Sequence, residues 1–287
     1  MSGLSKEAVE ALGSPLAARV DFHEEIGSTQ ERARELAHGG APHGTLVLSE
    51  VQKGGRGRLG RRWGSPRGGL WMSLVLRPEL PARFAPRITQ TAAVGVAKAL
   101  WSFGVEARIK WPNDLLITGP DDSAGRKICG ILAESSAENA PVAAKRVGPG
   151  ANAERAIDFV VLGVGINANL DPEDLDVPDR EVATLRSELG HSLDLVELLD
   201  AVLQNLDSEL DRIRDFGTVL DDWRALNCTL GRFVRVTRFG ETVEGWAVDL
   251  TGEGGLLIER SPGRGLVEVF EGEVEHLRQG EYGGGGR

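Results

Sequence analysis

Cysteine is nearly absent from this 287-residue chain, which holds only Cys129 and Cys228. The two lie far apart and outside any CxxC spacing, so neither a disulfide framework nor a zinc site is indicated. No apolar run reaches the roughly 20 residues that a membrane span needs. The N-terminus also lacks the hydrophobic core of a signal peptide, and a reducing, cytoplasmic setting is expected. Lysine is scarce: Lys6, Lys53, Lys98, Lys110, Lys127 and Lys145 are all of it, so arginine supplies most of the 33 basic residues. Against these stand 43 acidic residues, for a formal net charge of −10. That balance argues against a general nucleic-acid or membrane-surface protein, though not against one local basic site. The apolar share of 41% is enough for a core, and the length suggests one large domain with a small one attached.

What the chain does have is concentrated at residues 52–63, Gln-Lys-Gly-Gly-Arg-Gly-Arg-Leu-Gly-Arg-Arg-Trp. Lys53, Arg56, Arg58, Arg61, Arg62 and, just beyond, Arg67 stand together with no Asp or Glu between them. Six neighbouring cations repel one another, and that cost favours an anionic partner over an idle solvated loop. Glycines let the backbone come close to a ligand, and exposed N–H groups with guanidinium forks suit carboxylate or phosphate oxygens. Gly55-x-Gly57-x-x-Gly60 also spells a dinucleotide fingerprint. Its context is wrong, because the x positions are arginines and Gly-Ser-Pro-Arg-Gly-Gly follows where a helix should begin.

Along the chain, residues 1–19 read as a helix or a disordered lead. A strand at 20–22 precedes a helix at 30–36, with Ser28 or Thr29 as its N-cap. Strands are expected at 45–49 and 70–76, a core helix at 88–101 and a strand at 108–111 ending in a Pro112-Asn113 turn. Residues 127–135 and 159–165 read as paired strands joined by a long connection at 138–155. A long amphipathic helix is expected over 192–216. From Thr229 onward four short strands, at 233–236, 242–248, 255–258 and 266–270, suggest a small β-barrel. The Gly-rich tail at 280–287 is expected to be disordered, and there is no internal repeat.

Three further segments could carry chemistry. Lys110-Trp-Pro-Asn-Asp114 puts a lysine at a strand end, where it aims a charge at a phosphoryl or carboxylate oxygen or simply pairs with Asp114. Gly163-Val-Gly-Ile-Asn167 follows a β-run, so its glycines permit either close ligand approach or only a turn. Gly27-Ser-Thr-Gln30 offers hydroxyls and helix N-terminal amides to a polar group, although capping alone also explains it. His38, His43 and His191 lack partners at metal-ligand spacing, and no Ser-His-Asp order is present.

In this order the segments resemble the biotin–protein ligase family, also called biotin–[acetyl-CoA-carboxylase] ligase. The resemblance rests on Ser28-Thr29, Gln52 with Gly55-Arg-Gly-Arg58, Gly60-Arg-Arg-Trp63, Lys110-Trp-Pro-Asn-Asp114, Lys127-Ile-Cys-Gly-Ile-Leu-Ala-Glu134 and Gly163-Val-Gly-Ile-Asn167, and it spans residues 20–278. It implies an α+β fold: a mixed-sheet ligase domain like that of class II aminoacyl-tRNA synthetases at 20–228, and a C-terminal SH3-like β-barrel at 229–279. It also implies a two-step reaction, in which biotin is activated by Mg-ATP to biotinyl-5′-AMP and passed to a lysine of a biotin carboxyl carrier domain.

Carried over residue by residue, Ser28, Thr29, Gln52, Gly55, Arg56 and Lys110 would hold biotin. Arg58, Arg61, Trp63, Asn113 and Asn167 would hold the nucleotide, and Lys110, Arg56 and Arg58 would act in catalysis. Mg2+ is expected with ATP and no protein metal site. Residues 177–185 stand where the family carries a segment ordered by the adenylate. No nucleic acid or membrane partner is expected, and the chain would be a monomer or homodimer. Gln30 departs from the usual Asn, Leu59 from a common Arg, and the 138–155 insert is longer than usual. The roughly twenty residues before Val20 are too few for a winged helix-turn-helix, so the resemblance is to the short form without a DNA-binding domain. A lipoate–protein ligase of the same fold and a non-catalytic basic-loop binding protein are the competing expectations.

Overall fold

The computed structural model describes residues 4–119, 125–136, 156–175, 181–238, 240–260 and 265–277. The insert at 138–155 and the tail at 280–287 lie outside these residues, as do 177–180 of the expected closing segment. In chain order the elements are α1 (Lys6–Glu10), β1 (Arg19–Ile26), α2 (Thr29–His38), β2 (Thr45–Gln52), β3 (Leu70–Leu76) and α3 (Ala85–Ser102). Next come β4 (Arg108–Lys110), β5 (Asp114–Ile117), β6 (Arg126–Ser135), β7 (Val160–Ile166), α4 (Leu185–Leu189), α5 (Leu195–Asp211) and α6 (Phe216–Leu226). Five short strands finish the chain: β8 (Phe233–Arg238), β9 (Glu241–Leu250), β10 (Leu256–Glu259), β11 (Leu266–Val269) and β12 (Glu273–His276).

The first seven strands form one sheet in the order β1-β2-β3-β7-β6-β5-β4. β1 and β2 run parallel and the remaining pairs antiparallel, so the sheet is mixed. β3 lies inside it and every one of its residues is buried, which requires both faces to be covered. On one face Leu70, Met72, Leu74 and Leu76 join the main core with α3, α5 and α6. On the other, Ala33 and Ala37 of α2 pack on Val47, Val75 and Val161. A ten-residue helix is only about 15 Å long, against about 29 Å for the width of seven strands. α2 therefore packs chiefly on β2, β3 and β7, and the same face toward β5 and β4 is left to the basic segment after β2.

Of the two readings of the N-terminal lead, the helical one holds for its described part: α1 forms, and Leu4, Val9 and Leu16 enter the main core. Other expectations change in the fold. The single long helix expected over 192–216 ends at Asp211, and a turn with non-helical Asp215 (φ −96°, ψ 62°) separates it from α6, which packs on α3. A charge cluster fixes that turn: Lys98 Nζ donates to Glu209 at 2.6 Å and to Asp222 at 2.7 Å, and Arg212 donates to both carboxylates at 2.7 Å. The C-terminal strands form an antiparallel sheet in the order β11-β10-β9-β8-β12, with β12 as a fifth strand beyond the four expected. Among the described residues no β11–β12 ladder closes it into a barrel. It is tied to the rest of the chain where Trp111 N–H, just after β4, donates to Thr229 Oγ1 at 3.0 Å and Arg87 of α3 donates to Gly252 O at 2.7 Å.

The charge cluster has a pH signature. Burial pushes the Asp222 carboxyl up, but hydrogen bonds and charge from Lys98 and Arg212 outweigh it and hold the group below its ordinary 3.8. A carboxyl lowered by folding stabilises the native state above its unfolded value, and that stability is lost as pH falls through the folded value. Asp222→Asn is expected to cost about 1 kcal/mol at neutral pH, since the pair is partly exposed. It should also flatten the fall of stability between about pH 5 and pH 2. Urea melts across that range check it; an unchanged acid limb would remove Asp222 from the account.

Candidate active site

Cross-strand register builds the floor of the site. Directly paired residues share a face, and one row crosses the whole sheet: His23, Ser49, Trp71, Gly165, Gly130, Asp114 and Lys110. The adjacent row on the same face holds Val47, Ser73, Gly163 and Leu132. Three glycines thus replace side chains at the sheet centre; Gln30 fills the space over Gly163, where a Cβ would lie 2.5 Å from its Oε1, while Gly165 and Gly130 leave a trough. The indole of Trp63 now lies in it: a Cβ on Gly165 would sit 2.6 Å from Trp63 Nε1, and one on Gly130 would sit 3.0 Å from the same ring. Trp63 also meets Trp71 edge-on, with centroids 6.4 Å apart.

At the trough's upper end stands a polar cluster. Ser28 caps α2 through Glu31 N–H, and Ser28, Thr29 and Gln30 are all buried. Gln52 Oε1 accepts from the Thr29 amide at 2.8 Å and lies 3.1 Å from its hydroxyl, while Gln52 Nε2 donates to Ser65 Oγ at 2.9 Å. Gln30 turns inward instead of facing the trough. Its Nε2 donates to Glu134 Oε2 at 3.0 Å and Val161 O at 3.1 Å, and its Oε1 accepts from Ser73 at 3.1 Å.

The basic segment is a closed flap over this floor. Gly54 N–H donates to Gly27 O, Trp63 N–H to Gly55 O and Gly57 N–H to Arg61 O, so residues 54–63 fold back on themselves. Gly55 has no room for a Cβ, which would meet Trp63 O at 2.4 Å and Ser65 Oγ at 2.7 Å. Acids from elsewhere in the chain offset the expected repulsion. Arg56 meets Glu31 at 3.3 Å and Glu134 at 3.7 Å, Lys53 meets Glu25 at 2.6 Å, and Arg61 pairs with Glu273 of β12. The Glu273 hydrogen bond raises the Arg61 guanidinium above its usual range. Arg58 donates to Asn113 Oδ1 at 3.2 Å, which ties the flap to the turn between Lys110 and Asp114.

Lys127 belongs to a motif that carries the family resemblance but is not among the expected site residues. Its ammonium meets Asp114 Oδ1 at 2.6 Å and sits 4.8 Å from the Trp63 ring centroid, at the trough's lower end. A bulge puts it there. Leu115 pairs with Cys129 but Leu116 pairs with Lys127, so Ile128 is an extra residue and Lys127 comes round to the face of Gly130. The segment 181–185 lies alongside, with Lys127 N–H donating to Glu181 O and Ala183 N–H to Lys127 O. Asn167 donates from Nδ2 to Lys127 O at 3.2 Å and Ala183 O at 3.1 Å, and its buried Oδ1 finds no acceptable donor. Trp63 Nε1 is likewise buried without a partner. Such orphan groups cost about 1–3 kcal/mol each, so both mark places where a ligand's polar atoms would be gained.

The structure therefore brings Ser28, Thr29, Gln52, Gly55 and Arg56 to one end of the trough, and Lys110, Asn113, Asn167 and Arg58 to the other. Arg61 is turned toward β12. A cavity of about 640 Å³, lined by residues 77–81 and 156–158 at the far ends of β3 and β7, contains none of these groups. Volume is a poor guide here, because the flap fills the trough. Burial pushes the Cys129 thiol up, and that of Cys228 up to about 11, so neither is a ready nucleophile. Among the described residues no group of three or more His, Cys, Asp or Glu could hold a metal ion.

Known proteins resemble this chain in sequence and fold. A family model described as the biotin/lipoate A/B protein ligase family matches residues 23–152. The chain is 33% identical over 262 residues to the bifunctional ligase/repressor BirA of Bacillus subtilis, covering 88% of this chain and 73% of that one. It is 32% identical over 255 residues to the biotin–[acetyl-CoA-carboxylase] ligase of Paracoccus denitrificans, covering 85% of this chain and 97% of that one. Among solved structures, the biotin protein ligase from Aquifex aeolicus in complex with biotin and ATP superposes with a TM-score of 0.69 at 26% identity, covering 91% of this chain and all of that one. With a mixed sheet, a glycine trough under a basic flap and relatives of this identity and coverage, the chain belongs to the biotin–protein ligase family.

Proposed function

We propose that this chain activates biotin with ATP and transfers the biotinyl group to a lysine of a carrier domain of a biotin-dependent carboxylase. In the first step a biotin carboxylate oxygen attacks the α-phosphorus, the bond to the β-phosphate oxygen breaks, and biotinyl-5′-AMP and pyrophosphate form. In the second, the neutral amine of the acceptor lysine attacks the acyl carbon, AMP leaves, and the amine's proton passes to solvent. Neither step requires a protein nucleophile.

The observation that carries this reading is the trough itself. A hydrogen-bonding cluster at Thr29 and Gln52, joined to β3 through Ser73, faces an ammonium at Lys127 of β6, two strand spacings or about 10 Å across the sheet. That span suits a ligand with a polar ring at one end and an acid at the other. The ring end of biotin, a cyclic urea, would meet Ser28, Thr29, Gln52 and the Gly55 amide, with Arg56 closing over it. Lys127 would neutralise the carboxylate and α-phosphate as they meet, with Lys110 and Arg58 beside it. Asn167 and Asn113 would serve the nucleotide, and Trp63 would leave the trough floor to cover the ligands. Mg2+ would arrive on the triphosphate, whose oxygens are its usual ligands. A flap over the acyl-adenylate keeps water from a bond that hydrolyses easily. Residues from about 229 onward would form a separate small domain, and the reaction would run in the cytoplasm. Among the described residues no helix is long and apolar enough to cross a membrane.

The test is exchange of labelled pyrophosphate into ATP, followed by mass spectrometry of a purified carrier domain. Biotin is expected to drive exchange and to add one biotinyl mass at one lysine. Exchange driven by lipoate instead would favour the sister activity, and exchange with neither acid would leave only a binding protein.

A further inference from the structure

Ser73 is a hydroxyl at the centre of the sheet, in a strand otherwise apolar and entirely buried, Leu-Trp-Met-Ser-Leu-Val-Leu. Nothing assigned so far uses it. Its neighbours leave little freedom in how the hydrogens around it run. Gln30 Nε2 faces three oxygens, those of Glu134, Val161 and, at 3.5 Å, Leu132. A flipped amide would aim Oε1 at all three, so Oε1 must be the atom 3.1 Å from Ser73 Oγ. An amide oxygen only accepts, and the single Ser73 hydrogen is therefore spent on Gln30.

Ser73 can then only accept from the Thr29 hydroxyl 2.9 Å away. Gln52 Oε1, the other acceptor near that hydroxyl, already receives the Thr29 amide at 2.8 Å. Either way the one Thr29 hydroxyl hydrogen points inward, and its lone pairs are what remain for the trough. From Ser73 the hydrogens run in one direction, to Gln30 and from Gln30 to Glu134, and end on a carboxylate, while the Thr29 hydrogen goes to Ser73 or Gln52 and never comes from Ser73. Each bond in such a chain polarises the next.

We infer that Ser73, with Gln30 and Glu134 behind it, is a positioning residue that makes Thr29 Oγ1 an obligate acceptor for a ligand N–H. Selectivity at this end is for a ring that donates, which a urea N–H does and a thioether or disulfide ring does not. The inference rests on the biotin-binding reading and adds to it the direction of one hydrogen bond and the residues that set it.

The experiment titrates wild-type protein and two variants with biotin and with biotin methylated on its ring nitrogens, by calorimetry, and measures KM for ATP alongside. Ser73→Ala is expected to raise the biotin Kd about 10- to 100-fold, the loss that follows when a buried chain is left one partner short. It should leave KM for ATP and kcat within about threefold, and shift the methylated ligand's Kd by less than about threefold. Ser73→Thr keeps the hydroxyl and should rescue biotin binding. Glu134→Gln, at a partly exposed position, keeps the bond but removes the charge, and should weaken biotin severalfold while sparing the methylated ligand. Equal losses for both ligands, or a matching rise in KM for ATP, would reduce Ser73 to a packing residue and overturn the inference. Unchanged biotin affinity in Ser73→Ala would do the same. If Ser73→Ala fails to fold, Glu134→Gln decides by the same comparison. A wild-type protein that binds no biotin would instead sink the functional reading on which this one stands.

Discussion

Lys127→Ala should lower biotin-dependent pyrophosphate exchange by about 10²- to 10³-fold, the usual loss when one preorganised charge-stabilising group is removed from a reacting centre. The ammonium sits at the end of the trough opposite Thr29 and Gln52, held by Asp114 at 2.6 Å and by the Trp63 ring at 4.8 Å. Its position is fixed before any ligand arrives, by a bulge and by backbone bonds to Glu181 and Ala183. A carboxylate and an α-phosphate brought together repel each other, and a cation between them is worth most where water is excluded. Lys110 lies on the same row beyond Asp114, at the edge strand. Its replacement by alanine should cost less, because its strand is farther from the trough. Exchange rates for the two variants, beside thermal melts showing both folded, make the comparison. Full activity in Lys127→Ala with loss in Lys110→Ala would move the role to Lys110.

Strand parity explains why the sequence reading places Lys110 in the candidate site and not Lys127. Alternation along β6 counts three steps from Gly130 to Lys127, which puts them on opposite faces. Only the extra residue at Ile128 reverses that, and a bulge depends on pairing with β5, which the sequence does not spell out. Local signals were legible where the chain's own chemistry decides. β3 runs over the expected residues 70–76, the Ser28 cap opens α2, and the glycines at 163 and 165 lie on one face of the sheet, under Gln30 and Trp63. The flap's charge was legible but its partners were not, because Glu31, Glu134 and Glu273 come from three separate elements. The same holds for the break between α5 and α6: amphipathic spacing continues through it, and the charge cluster that bends the chain is a tertiary arrangement. Gln30, which departs from the usual Asn, proved to be directed at the sheet through bonds to β3, β6 and β7.

Gly165→Val tests the trough without touching any charged group. Valine suits a strand better than glycine does, so the sheet itself should lose little stability, within about 1 kcal/mol. The new side chain would project from the middle of the row between Trp71 and Gly130, where a Cβ alone would lie 2.6 Å from Trp63 Nε1 and 2.9 Å from its Cε2. Trp63 must then leave the floor, and whatever replaces it there must contend with the same obstruction. Two effects are expected together. Tryptophan emission should shift to the red as the Trp63 indole is released toward water, and binding of biotin and ATP, with the exchange reaction, should fall at least about 100-fold as the floor fills. Gly130→Val, on the neighbouring strand and nearer Lys127, should behave alike. A folded Gly165→Val protein with native emission and undiminished exchange would mean that ligands do not lie across these glycines, and the site would have to be sought on another face of the sheet.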